Sequence, residues 1–177
     1  MGVNKSIREV IKLKNKVITD DEIKNCVKLL HKDYHDAKII VFHKFIDYLK
    51  WSMSFKNFDY KYIKEVYKGR TVGCYNSDLK HILIYVFNDK SNERYKKINI
   101  IHTLMHELRH YYQYNFKESK WRKESNAIRY ELGDYRYKSA PIEHDANRFA
   151  ARMMIKHREK ISNILNIYPS WEVRGYE

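Results

Sequence analysis

The sequence predicts an α+β fold, in which a small sheet packs against a central helix and a second helix follows it. Three features predict it. Two short runs, Ala37 to Phe42 and Ile82 to Phe87, are rich in β-branched and aromatic residues, as buried strands are. Residues 95–115 contain neither Gly nor Pro and concentrate their apolar residues on one side of a helix. A Pro-headed amphipathic stretch then runs from Pro141 to Met154.

The elements are taken in chain order. Residues 1–16 form a basic segment, with Lys5, Arg8, Lys12, Lys14 and Lys16 opposed only by Glu9. Within it Val3, Ile7, Val10, Ile11 and Leu13 recur at partly helical spacing. Thr19 or Asp20 caps a helix over about 21–35, with Ile23, Val27, Leu30 and Tyr34 turned inward. The run from 37 to 42 is a strand. The aromatic-rich residues 43–68 divide into a helix over 43–51 and another over about 59–67, and Gly69 and Gly73 punctuate the chain after them. Thr71 to Tyr75 and His81 to Phe87 form an antiparallel hairpin around Asn76-Ser77-Asp78. Because 82–87 is apolar on both faces it belongs inside the sheet, and 71–75 is a candidate edge. Residues 116–140, charged and tyrosine-rich, are expected to cover one side of a cleft.

The long helix carries the chemistry. His106-Glu107-Leu108-Arg109-His110 places two imidazoles one turn apart on one helical face, where both reach a single metal ion. Glu107 leaves that face obliquely, as a general base acting on a metal-activated water must. The pattern is short, so its helical context has to support it. Ile98, Ile101, Leu104, Met105, Leu108 and Tyr112 form the core side. Asn99, Thr103, His106, His110 and Gln113 form the other side, where short polar groups and imidazoles stand instead of the lysines this chain uses elsewhere. That row suits the floor of a cleft.

A catalytic zinc takes three protein ligands and keeps a fourth position for water. The metzincin arrangement fails, because its Gly and third His would fall on Gln113 and Phe116. The helix headed by Pro141, with Ser139 as a candidate N-cap, offers Glu143, Ala146, Asn147, Ala150 and Met154 on one face. Alanines at that spacing admit a neighbouring helix closely, so Glu143 is the expected third ligand. His144 stands as the rival ligand, and His144 or Asp145 as a group orienting a ligand imidazole. Gln113 and Asn147 are candidates to steady the site, and Tyr135, Tyr137 and His144 to stabilise an oxyanion.

HELRH followed some thirty residues later by an E-x-x-A-N-x-F-A helix resembles the ImmA/IrrE-type metallopeptidases, compact gluzincins with a zincin-like domain. The resemblance covers roughly residues 80–155, the expected metal-site core of a single domain spanning 1–177. It implies one zinc ion per chain bound by His106, His110 and Glu143, with Glu107 as general base. It also implies intracellular proteolysis, often of a DNA-binding repressor, and frequent occurrence in phages and mobile elements. The sequence departs from the family in lacking the proline that usually closes the motif after Met153-Met154-Ile155-Lys156, which bears on subfamily and substrate.

Composition sets the remaining bounds. A hydrophobic content of 44% excludes a disordered chain. No stretch reaches transmembrane length and the N-terminus lacks a secretory apolar core, so a cytoplasmic protein is expected. Cys26 and Cys74 stand alone, as reduced thiols do. The net charge of +13 is spread along the chain, without a nucleic-acid-binding signature, and it favours an acidic protein substrate. Two other readings carry different expectations. A metal-stabilised regulatory or nucleic-acid-binding protein would bind zinc without turnover, and a DNA-associated helical factor would bind no stoichiometric metal.

Overall fold

The computed structural model describes residues 16–54, 60–117 and 140–173. Among them six α-helices accompany three strands. In chain order these are α1 (Asp20–Val27), β1 (Lys38–Phe42), α2 (Phe45–Met53), α3 (Tyr60–Tyr67), β2 (Gly73–Asn76), β3 (His81–Tyr85), α4 (Glu93–Phe116), α5 (Pro141–Lys156) and α6 (Arg158–Leu165). Apart from Lys16, the basic N-terminal segment lies outside the described residues, as do Ser139 and the cleft-covering stretch except for its ends.

The sheet is mixed, with strand order β1-β3-β2. β2 and β3 are joined by a tight turn and pair antiparallel, whereas β1 reaches β3 only after two helices and pairs parallel. Apolar residues on both faces of β3 have a direct consequence. Ile82, Ile84 and Val86 enter one core, while Leu83 and Tyr85 enter a second on the opposite face. β1 divides the same way, Ile39 and Val41 against Ile40 and Phe42. The second core is closed by Tyr48 of α2 and by Ile63 and Val66 of α3. The first is closed by α4, through Ile98, Ile101, Leu104, Met105 and Leu108, with Phe149, Ala150 and Met154 of α5 and Ile161 and Leu165 of α6 behind. Each fully buried aliphatic side chain contributes about 1.5–3 kcal/mol of transfer free energy, so α4 is fixed in rotation as well as position.

Three expectations need correction. The helix predicted over 21–35 ends at Val27, and a short 3-10 turn at Lys32–Tyr34 follows. Bonds from Leu29 N to Cys26 O and from Leu30 N to Val27 O tighten the end of α1. Leu30 and Tyr34 still turn inward, which is why the apolar spacing resembles one helix. Its start is as expected: Thr19 and Glu22 form a reciprocal capping box. Strand β3 stops at Tyr85, where Val86–Asn88 makes a 3-10 turn. There the buried Asn88 amide donates to Val66 O and Thr71 O, 2.8 Å each, and ties the turn to α3. The N-cap of α5 is Ala140, without a side-chain bond, and Pro141 occupies the first turn as predicted.

Gly73 sets the distance between β2 and α4. A Cβ there would come within 2.6 Å of Thr103 Cγ2, 3.1 Å of Ile84 Cδ1 and 3.2 Å of Glu107 Cγ. The tightest of these neighbours is a methyl on the short, β-branched Thr103, which has little room to yield. Gly73→Ala is expected to cost roughly 1–3 kcal/mol of stability by overpacking, measurable as a lowered denaturation midpoint.

Candidate metal centre

Helix α4 begins at Asn92, whose side chain caps Tyr95 N, and continues unbroken through the motif. Helix α5 lies against it on Ala146 and Ala150, both fully buried, so the two backbones approach closely. This packing brings Glu143 to the two histidines. Glu143 Oε2 lies 3.2 Å from His106 Nε2, and Oε1 lies 3.2 Å from His110 Nε2. The two Nε2 atoms are 2.9 Å apart. His106, His110 and Glu143 thus offer three ligand atoms within 4.8 Å of one another. The site is recessed: His110 is 3% and Glu143 5% exposed, and Glu107 beside them 7%.

The outer nitrogens fix which lone pairs face inward. His110 Nδ1 meets Gln113 Oε1 at 2.8 Å. The orientation of that amide is determined, because Gln113 Nε2 faces two acceptors, Ile142 O at 3.2 Å and Asp145 Oδ2 at 2.8 Å. Gln113 therefore presents its oxygen to His110, Nδ1 carries the proton, and Nε2 of the neutral ring directs its lone pair at Glu143 and His106. His106 Nδ1 meets Asn147 Oδ1 at 2.9 Å. Two imidazole lone pairs and a carboxylate then converge on one point. A single proton satisfies only part of that set, whereas one divalent cation satisfies all of it, so the residues fit a metal ion.

Electrostatics agree with the geometry. Burial would raise the Glu143 carboxyl, but the closeness of His106 and His110 outweighs it and holds the group well below the usual carboxylate range. Burial lowers His110, yet Glu143 and the Glu107 charge raise it on balance. Burial, and then the neighbouring His106, push His102 down to about 4. Burial, and then Glu107, raise the Cys74 thiol to about 11, which keeps it protonated beside the carboxylate.

The two alternatives downstream separate clearly. His144 is exposed and is not part of the cluster. Asp145, contrary to one expectation, does not orient an imidazole directly. It takes Arg109 Nε at 2.7 Å and Arg109 Nη2 at 3.1 Å, and it receives Gln113 Nε2. The orienting groups are Gln113 and Asn147, both candidates from the sequence. Arg109 is not marked by any local pattern, since its partner lies 36 residues away. Tyr112 packs among Tyr34 and Phe116. Of the oxyanion candidates, Tyr135 and Tyr137 lie outside the described residues.

Gln113→Leu keeps the helix and approximate volume but removes the acceptor for His110 Nδ1. Metal affinity is expected to fall about 10–100-fold, read by competition with a chromophoric chelator.

His106 and His110 on one helix with Glu143 on the next form a candidate metal site suited to hydrolysis, with the identity of the metal open. Comparison with protein-family models, curated proteins and solved structures finds no match. Among the described residues, no helix is long and apolar enough to cross a membrane.

Proposed function

We propose that this protein is a zinc-dependent metallopeptidase of the ImmA/IrrE type, hydrolysing peptide bonds of an intracellular protein substrate. The observation that carries the reading is the convergence of His106 Nε2, His110 Nε2 and Glu143 on one point, with the outer nitrogens of both imidazoles held by amide oxygens. Two histidines and one carboxylate suit zinc. A zinc ion held there would supply Lewis-acid activation of a water and of the carbonyl it attacks.

The chain's own residues do the rest. His106, His110 and Glu143 hold the ion, and Gln113 and Asn147 keep the rings in the tautomer that leaves Nε2 free. Glu107 is the general base: its carboxylate accepts the proton that water loses and returns it to the leaving amine. Its placement supports the role, since Glu107 Cγ lies beside Gly73 of β2. Among the described residues β2 pairs only with β3 and is the edge strand of the sheet. A peptide added there as a further strand would pass Glu107 in extended form. The net charge of +13 favours an acidic substrate, and the sequence resemblance suggests a DNA-binding repressor.

The test uses zinc-loaded protein and a cell-derived protein mixture, with new N-termini identified by mass spectrometry. Wild type should generate a reproducible set of termini that Glu107→Gln does not. An identical set from both proteins, or none from wild type, contradicts the peptidase reading.

A further inference from the structure

Arg109 stands inside HELRH, yet it turns toward α5 and takes no part in the ligand set. Its Nε reaches Asp145 Oδ2 at 2.7 Å and its Nη2 reaches Oδ1 at 3.1 Å, so both carboxylate oxygens are gripped. The guanidinium is itself held in place. Its Nη1 donates to the Tyr34 hydroxyl at 3.3 Å, and its centre lies 5.1 Å from the Tyr112 ring centre and 5.2 Å from that of Phe149. Asp145 Oδ2 accepts twice, from Arg109 Nε and from Gln113 Nε2 at 2.8 Å. Gln113 is buried, and the other end of its amide meets His110 Nδ1 at 2.8 Å.

We propose that Asp145, anchored by Arg109, is a positioning residue of the metal centre. It dictates which end of the Gln113 amide faces His110, and through that amide which ring nitrogen is left open to a metal ion. The consequence for the metal rests on the metal-centre reading, whereas the orientation of the amide does not.

The two ends of a glutamine amide are nearly equal in size, so hydrogen bonds rather than packing choose between its two orientations. With the NH2 end toward Asp145, the oxygen faces His110 Nδ1 and takes its proton, and the Nε2 lone pair points at the cluster. In the reversed orientation the NH2 end would face Nδ1, which must then accept. The ring proton would move to Nε2, and a protonated Nε2 cannot bind a cation. An ionised carboxylate excludes the reversed state because it accepts only, and would face the amide oxygen across a repulsive contact. Ile142 O supports the same orientation, but at 3.2 Å and without charge it is the weaker of the two acceptors. Arg109 supplies the anchor. The Asp145 side chain is 38% exposed, and the paired guanidinium keeps it from turning to water. Removing the carboxylate takes the acceptor from Gln113 and also frees Arg109 Nε, a donor that met the same oxygen, to draw the amide oxygen round.

The test compares wild type, Asp145→Ala, Gln113→Leu and the double variant as full chains, with circular dichroism checking that each keeps the fold. The first measurement involves no metal. In zinc-free protein carrying isotope-labelled histidine, heteronuclear NMR shows whether His110 Nδ1 bears a proton, the signal being assigned by its absence in His110→Ala. Nδ1 should be protonated in wild type and lose its proton in Asp145→Ala. The second measurement is zinc affinity. Asp145→Ala should weaken it about tenfold, the lower end of the range for a group outside the ligand set. Added to Gln113→Leu, the same change should alter affinity by less than about twofold, because a residue acting only through Gln113 then has nothing to act on. Asp145→Ser, whose hydroxyl stops short of Gln113, carries the same expectations if Asp145→Ala does not fold. A wild-type Nδ1 without a proton, or an Nδ1 signal unchanged by the substitution, overturns the proposal. So does a loss of affinity that multiplies with that of Gln113→Leu, as an independent structural contribution would. If wild type takes up no zinc, the metal-centre reading fails, and the Nδ1 signal alone decides the role of Asp145.

Discussion

Glu107→Gln is expected to lower hydrolysis by about 10²–10⁴-fold while zinc content stays that of wild type, since general-base catalysis by a positioned carboxylate is worth that much. The substitution keeps the shape of the side chain, which matters because Glu107 Cγ packs beside Gly73 and the residue is buried. An amide cannot accept the proton of an attacking water. The proposed metal ligands are other residues, so loss of activity with retained metal would separate the base from the cradle. A single-turnover assay on any substrate recovered from the proteolysis screen reads the effect. Full activity in the variant would remove Glu107 from the mechanism.

Removing the metal should produce the second large effect, on stability. Glu143 lies on α5 and the histidines on α4, so an ion bound by all three fastens two helices of the main core. Zinc at 100 times its dissociation constant would add about 2.7 kcal/mol, and at 1,000 times about 4.1 kcal/mol. Chelation should therefore lower the thermal midpoint, and zinc in excess of the chelator should restore it. His110→Ala should melt at the same temperature with and without zinc. A wild-type midpoint indifferent to zinc would mean the ion is not bound by the folded state.

How much the sequence discloses depends on which interactions are local. The His106 and His110 pairing is legible because four-residue spacing on a Gly-free, Pro-free helix fixes a common face. Glu143 is legible because Pro141 marks the start of α5 and the alanines mark the face that meets α4. The central position of β3 follows from its apolar residues on both sides. The bend after Val27 is not legible, since Leu30 and Tyr34 keep helical spacing after the backbone has left the helix. The same bend carries Tyr34 to Tyr112 and Phe149, and so sets its hydroxyl against Arg109. The role of Asp145 escapes the sequence for a related reason. Sequence places it near the ligand helix, but only packing shows that Arg109 claims its carboxylate and Gln113 stands between it and His110.

The most direct test of the metal centre is zinc content after loading and desalting, measured by elemental mass spectrometry on wild type, Glu143→Ala and His144→Ala. One zinc per chain is expected in wild type and in His144→Ala, with loss in Glu143→Ala. No zinc in wild type, or retention in Glu143→Ala with loss in His144→Ala, would contradict the ligand set on which the proposed function rests.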